Sequence, residues 1–179
     1  MRIEPATLED CRAVAQVHVT SWQHAYRRLL PATFLDALSV ERRQEMWSEA
    51  LATGAVQLYV ARGDQGIAGF IAFGACRDED APPRRAEVWA LYLAPSSWSQ
   101  GVGRGLWTTA RDCLVAQGHE TVSLWVLAGN ERAIRFYRAA GFQAEPQAVR
   151  AFELAGVPLQ EVRYWSTVKG DVLARGIPA

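Results

Sequence analysis

The residues whose types and spacing could do chemistry cluster between positions 87 and 142. The densest stretch is Leu91-Tyr-Leu-Ala-Pro-Ser-Ser-Trp-Ser-Gln-Gly-Val-Gly-Arg-Gly105. An apolar strand enters a short loop, and glycines at 101, 103 and 105 lead straight into a helical pattern. Glycine lets backbone approach a ligand closely. The first N–H groups of a helix lack intrahelical partners and lie along a dipole that favours negative charge. Such a start suits a phosphate or diphosphate, and Arg104 adds a cation at the rim.

Three nucleotide loops compete for this pattern. A Walker loop needs Gly-Lys-Ser/Thr, which is absent. A dinucleotide fingerprint needs GxGxxG after the first strand and an acid about 20 residues on. Here the spacing is GxGxG, it comes late, and the next strand ends without an acid. The third is the coenzyme A diphosphate loop, Q/R-x-x-G-x-G/A, and Gln100-Gly-Val-Gly-Arg-Gly105 meets each of its fixed positions. A second block follows: Leu124-Trp-Val-Leu-Ala-Gly-Asn130, Ala133-Ile-Arg-Phe-Tyr137 and Ala140-Gly-Phe142. With both blocks in this order, the chain resembles the GNAT superfamily, the GCN5-related N-acetyltransferases. The likeness covers most of the chain and is strongest from Ala86 to Phe142. Ser21-Trp-Gln-His-Ala-Tyr-Arg-Arg-Leu-Leu-Pro31 is similar to one bacterial subgroup whose substrates are mostly unassigned.

The resemblance implies an acetyl-CoA-dependent N-acetyltransferase in which a primary amine attacks the bound thioester directly. It implies that Leu91, Tyr92 and Leu93 form a bulged strand whose backbone holds the pantetheine and acyl carbonyl. Ser99, Gln100, Gly101, Val102, Gly103, Arg104 and Gly105 would carry the diphosphate. Asn130, Ala133, Phe136 and Tyr137 would complete the cofactor site, although a helix N-cap alone accounts for Asn130. Tyr137 is the expected general acid, protonating the departing thiolate. The amine must lose a proton, since amine pKa values lie near 10. Glu87 is the expected base, on the strand entering the site and, by alternation, on one face with Trp89 and Leu91. Ribosomal-protein N-terminal acetyltransferases of the family place a Glu on the following strand; here that position is Trp125. Trp22, Tyr26, Trp89 and Trp125 are the expected acceptor wall, suited to an ammonium by cation–π attraction. His24 falls off the apolar stripe and reads as solvated. Arg132, Arg135 and Arg138 read as a solvated face that could also meet the cofactor's 3′-phosphate.

The elements that must position these residues follow from periodicity. Residues 2–5 form a short strand; Thr7-Leu-Glu-Asp10 reads as a helix start, and the helix ends near Pro31. Stretches 31–38 and 39–53 are helical. Residues 56–62 and 67–75 form a hairpin about Gly63-Asp-Gln-Gly66, and 86–93 a third strong strand. A helix runs from Gly101 to Gly118. Thr121 to Leu127 reads as a strand buried on both faces, followed by a helix from Asn130 to Gly141. Residues 142–154 and 158–168 form a last hairpin about Ala155-Gly156. The expected fold is α/β: a mixed, mostly antiparallel twisted sheet of six or seven strands with about four helices on both faces. It is a single domain, 1–179, with acceptor-side helices at about 7–53, an acyl-CoA-binding core at about 86–142 and the C-terminal hairpin at about 142–168.

Composition narrows the partners. Nineteen Lys and Arg balance 19 Asp and Glu, so there is no basic footprint for nucleic acid. Cys11, Cys76 and Cys113 show neither disulfide nor zinc spacing, so no metal is expected. Cys113 falls on the buried stripe of its helix, which argues against a nucleophile. No run of residues approaches a membrane span and residues 1–10 lack a signal peptide's apolar core, so a cytoplasmic bacterial protein without membrane attachment is expected. The acceptor is expected to be a small-molecule amine, and the chain a monomer or homodimer. The rivals are acetylation of protein N-termini or lysines, acylation of a hydroxyl, and a non-catalytic acyl-CoA-binding regulatory module.

Overall fold

A computed structural model of the chain describes residues 1–168. Strand β1 (Arg2–Pro5) leads through a single 3-10 turn (Leu8–Asp10) into α1 (Cys11–Ala25), α2 (Ala32–Asp36) and α3 (Val40–Ala52). Strands β2 (Gln57–Gly63), β3 (Gly66–Ala75) and β4 (Arg85–Leu93) follow, then α4 (Val102–Ala116), β5 (Thr121–Leu127), α5 (Glu131–Ala139), β6 (Gln143–Leu154) and β7 (Val157–Thr167). The starts of the first helices obey local chemistry. The Thr7 N–H donates to Asp10 Oδ2 at 3.0 Å, and Ser39 Oγ accepts from the Arg42 N–H at 3.1 Å.

The seven strands make one sheet in the order β1-β2-β3-β4-β5-β7-β6, antiparallel except for β4 against β5. One face is covered by α4 and α5, whose Leu106, Ala110, Leu114 and Ile134 bury against Ile71, Phe73, Val122 and Leu124. Helices α1 and α3 cover the other, with Val14, Val17 and Trp47 against Leu58, Val60 and Phe70. A third cluster at one end joins Tyr26, Leu30 and Leu35 to Leu127. Four of the α-helices thus cover the two faces, as expected, and the short α2 packs at the end with Leu35. Among the described residues no helix is long and apolar enough to cross a membrane.

Two features of β4 create the site. First, β4 pairs with β5 only through Arg85, Ala86 and Glu87, opposite Thr121, Val122 and Ser123; beyond these residues the two strands part. Second, the β3 register passes from Ala72↔Ala90 to Phe73↔Val88, leaving Trp89 as an extra residue. A bulge of one residue reverses the alternation downstream of it. Ala86 and Val88 lie in the α4/α5 core, and after the bulge Leu91 and Leu93 join them. Ala90 and Tyr92 turn to the α1/α3 core. Two expectations are therefore corrected: the bulge sits at Trp89 rather than within Leu91–Leu93, and Glu87 does not share a face with Leu91.

The α1/α3 core also contains a titratable group. His18 is buried, its ring stacked on Tyr92 at 4.7 Å, and its Nδ1 accepts from Trp47 Nε1 at 3.1 Å. Burial, with a small contribution from Arg43, lowers its pKa to about 3. The unfolded chain then binds a proton that the folded chain refuses below pH 6.5, so stability present above that pH is lost as pH falls. The expected loss is roughly 1 kcal/mol per pH unit between pH 6 and 4. In urea titrations His18→Phe should start about 1–2 kcal/mol less stable at pH 7, through the lost Trp47 hydrogen bond. Its slope with pH should be flatter. Equal slopes would show that His18 takes up its proton as readily in the folded chain as in the unfolded one.

Candidate active site

Where β4 and β5 part, a cleft of about 700 Å³ opens between them. Residues 88–93 of β4 and 124–127 of β5 line it, with Ser99 and Gly103 at one end and Trp22 of α1 and Tyr26, just past its end, on its wall. Beyond Glu87, the backbone edge of β4 that faces β5 has no strand partner. One of its carbonyls, that of Leu93, accepts from Trp98 Nε1 at 3.1 Å, which ties the glycine loop to the strand.

The loop is built by left-handed backbone at Ser99 (φ 61°) and Gly101 (φ 81°). Gly101 caps α4 and requires glycine for its conformation, not for space, since a Cβ there would meet nothing within 4 Å. Gly103 and Gly105 serve packing. A Cβ on Gly103 would lie 3.3 Å from Leu93 Cδ1 and Phe136 Cε2, and one on Gly105 would lie 2.8 Å from Ile3 Cδ1. Two of the three glycines therefore let the helix approach other side chains, a role the motif alone did not separate from ligand approach. Among the described residues, no acceptor meets the N–H groups of Val102, Gly103 and Arg104, and the first turn of α4 holds no acidic side chain. These groups fit an anion.

Of the residues expected at the cofactor, Leu91, Tyr92, Leu93, Ser99, Gly103, Asn130, Ala133, Phe136 and Tyr137 line the cleft. Gln100, Gly101, Val102, Arg104 and Gly105 lie on the loop and first turn outside its lining; Gln100 Nε2 is turned to the Ser96 carbonyl at 2.6 Å. Asn130 caps α5 through the Ala133 N–H at 3.2 Å, and it also lines the cleft. The Tyr137 ring packs against Phe136 and Phe142. Tyr137 is half-buried on the wall of the cleft, and desolvation there pushes its pKa well above the ordinary tyrosine value, helped slightly by Tyr92. Tyr26 and Tyr92 are raised by burial as well.

The acceptor end combines aromatic rings with paired charges. Trp22 meets Tyr26 edge-on at 5.0 Å. Trp89 lies under the Arg77 guanidinium at 4.3 Å and Trp125 under that of Arg150 at 3.8 Å. Glu87 lines the cleft, but both its oxygens are engaged. Arg77 Nη2 donates to Oε1 at 2.5 Å, while Arg77 Nε and backbone N–H donate to Oε2 at 3.1 and 3.0 Å. Asp78, buried, accepts from Trp125 Nε1, Arg150 and Arg163, and Arg163 also binds Asp80 and Glu145. His24 is exposed, as expected. Arg132 lies over Trp98 at 4.0 Å, and Arg138 reaches the Tyr164 hydroxyl at 3.5 Å. Cys113 is half-buried and donates to the Tyr59 hydroxyl, away from the cleft.

Sequence reasoning missed Glu161, Arg77, Arg150 and Asp78. A signal existed for Glu161: Val162 and Tyr164 pack into the α4/α5 core, so Glu161 and Arg163 must face the other way. Arg77 and Asp78 sit in a polar loop that carries no periodicity.

Comparison with known proteins agrees with this geometry. The model of the acetyltransferase (GNAT) family matches residues 15–142. The uncharacterized N-acetyltransferase YuaI of Bacillus subtilis is 33% identical over 89% of this chain and 89% of its own length. A probable N-acetyltransferase of Mycobacterium tuberculosis is 26% identical over 92% of each. Among solved structures, YncA of Salmonella typhimurium, determined with acetyl-CoA, superposes with a TM-score of 0.72. That match covers 100% of this chain and 98% of YncA at 20% identity, a likeness of fold.

Proposed function

Because the chain belongs to the acetyltransferase (GNAT) family, we propose that it moves an acetyl group from acetyl-CoA to the primary amine of a small molecule. The observation that carries this is the parting of β4 and β5, which opens one cleft with an anion cradle at one end and an aromatic, charged wall at the other. The unpaired N–H groups of α4 suit the diphosphate of coenzyme A. The unpaired edge of β4 suits the amide-bearing pantetheine arm. The bound thioester supplies an activated carbonyl, which the amine nitrogen attacks as the C–S bond breaks. Tyr137, protonated across the working pH range, donates to the sulfur. Backbone N–H groups of β4 are aimed across the gap where negative charge develops on the carbonyl oxygen.

In this reading residues 7–53 wall the acceptor side, 86–142 hold acyl-CoA and the hairpin 142–168 closes the far edge, within one domain. A small acceptor is favoured over a protein because Trp22, Tyr26, Trp89 and Trp125 narrow that end. Glu87 acts as a positioning residue, holding Arg77 over Trp89.

Thiol release from acetyl-CoA, measured over amines, amino acids, polyamines, aminoglycosides and peptides, tests the reading. Amine-dependent release with a small acceptor is expected. Release with peptides alone would transfer the reading to protein acetylation. No release, with acetyl-CoA still raising the melting temperature, would reduce the chain to an acyl-CoA-binding module.

A further inference from the structure

The charges around the acceptor end do not cancel. Arg77 is paired with Glu87, Arg150 with Asp78, Arg163 with Asp78, Asp80 and Glu145, and Arg85 with Glu145. Arg132 and Arg135 line the cleft separately, from α5. Within this network and the neighbouring Glu161, four guanidinium groups thus meet five carboxylates, and the one left over is Glu161. It lines the cleft from β7, half-buried, directly across from Arg150 on β6 and Leu127 on β5. Arg150 is turned from it toward Asp78 and lies over Trp125. Among the described residues Glu161 has no ion pair, and no hydrogen bond reaches its carboxylate.

We infer that Glu161 takes the proton of the acceptor's ammonium group, and that the acceptor is an amine with no carboxylate or phosphate beside its nitrogen. The inference rests on the acetyltransferase reading above and names the base and substrate class of that site. An unpaired carboxylate in a part-desolvated cleft is a receptor for a cation. An anionic substituent would need a free cation facing it. Arg77 and Arg150, the two guanidinium groups that line the cleft beside Glu161, are each held by a carboxylate with the flat face on a tryptophan. Arg43 lies behind Trp22, over its ring, outside the lining. Two N–H protons leave the nitrogen as its bond to the acetyl carbon forms and the C–S bond breaks. The first goes to Glu161, which returns it to solvent. The second balances the proton that Tyr137 gives the sulfur.

The groups facing Glu161 are Arg150 from β6, Arg77 from the β3–β4 loop, and Glu87 and Tyr92 from β4. Burial raises its pKa most; Arg150 and Arg77 pull it down and Glu87 raises it further. A carboxyl raised above 4.5 still ionises well below the amine, whose pKa lies near 10. The wild type therefore works on carboxylate plus ammonium, and its kcat/KM should be level from neutral pH up to the pKa of the amine, falling on the acid side at a pH above the ordinary carboxyl value.

The test uses the full chain and the best acceptor from the amine panel. Glu161→Gln should lower kcat/KM about 100-fold at pH 7. Its rate should then climb with pH as free amine accumulates, so that the deficit shrinks below about tenfold by pH 10. Its melting temperature and acetyl-CoA affinity should match the wild type. The same amine carrying an α-carboxylate should be at least tenfold poorer. A deficit constant with pH, no deficit, or preference for the carboxylated analogue would overturn the inference while leaving the transferase intact. Absence of transfer to any amine would instead sink the acetyltransferase reading, and the inference with it.

Discussion

Arg163→Ala should cost the protein about 3 kcal/mol and lower its melting temperature by roughly 6–12 °C. Arg163 is 6% exposed and donates to Asp78 Oδ2 at 3.1 Å, to Asp80 at 2.6 and 2.7 Å, and to Glu145 at 2.7 Å. These partners differ in weight. Asp80 is 68% exposed and Glu145 31%, so water takes over much of what Arg163 gives them. Asp78 is 2% exposed and cannot be rehydrated without opening the sheet edge. Removing one partner of a buried pair leaves the other charge uncompensated, which costs more than the pair contributes. Arg150 and the Trp125 indole still bind Asp78, and they hold the penalty to the lower end of the range for a broken buried pair. Calorimetry at pH 7 checks the value. A fall under 2 °C would mean that the network is worth no more than a surface pair.

The network also reaches the site. Trp125 is fixed by its hydrogen bonds to Asp78, at 3.1 and 3.2 Å to the two oxygens, and by the Arg150 guanidinium on its face. Loosening Asp78 frees that ring at the acceptor end of the cleft. In Arg163→Ala, KM for the amine should rise more than kcat falls.

How far the sequence could foresee this arrangement depends on the length scale of each signal. Local chemistry was legible. Ser39 and Asn130 cap helices where their side chains match unpaired N–H groups, and Ala155-Gly156 turns the last hairpin with φ of 52° and 77°. The alternating run to Leu93 was visible as a strand. The Trp89 bulge was not, because one extra residue leaves apolar composition unchanged while reversing the side each later residue faces. That reversal separates Glu87 from Leu91. Similarly, the glycines were legible as a loop, but whether 103 and 105 make room for a ligand or for Phe136 and Ile3 depends on elements more than 30 and 100 residues away. The charge pairing was least legible. Arg77 reaches Glu87 across ten residues, whereas Arg150 and Arg163 reach Asp78 across 72 and 85. No periodicity carries such a partnership, so the carboxylate left unpaired could be found only after the others were matched.

Tyr137→Phe should reduce kcat about 100-fold while leaving fold and acetyl-CoA binding intact. The ring packs between Phe136 and Phe142, at centroid distances of 5.3 and 5.6 Å, and a phenylalanine keeps that packing. The hydroxyl accounts for no hydrogen bond to protein among the described residues, so its removal strands no partner. What is lost is a proton donor in the cleft. Without it the sulfur must leave as a thiolate or take its proton from water, and positioned acids contribute about 10² to 10⁴ in rate. The raised pKa fixes the sign of the pH effect. A phenol held above its ordinary value near 10 stays protonated through the whole range in which the amine is acetylated, so the wild type should show no loss of kcat up to pH 9 from this group. The variant should be slower by the same factor from pH 6 to 9, in contrast to the pH-dependent deficit of Glu161→Gln. Pre-steady-state thiol release with saturating amine separates the two, because it reads the acid step without acceptor affinity. If Tyr137→Phe kept full kcat, the sulfur would be leaving unprotonated. The hydroxyl would then be a packing consequence of placing an aromatic beside Phe142, and the chemistry would rest on the carboxylate side of the cleft alone.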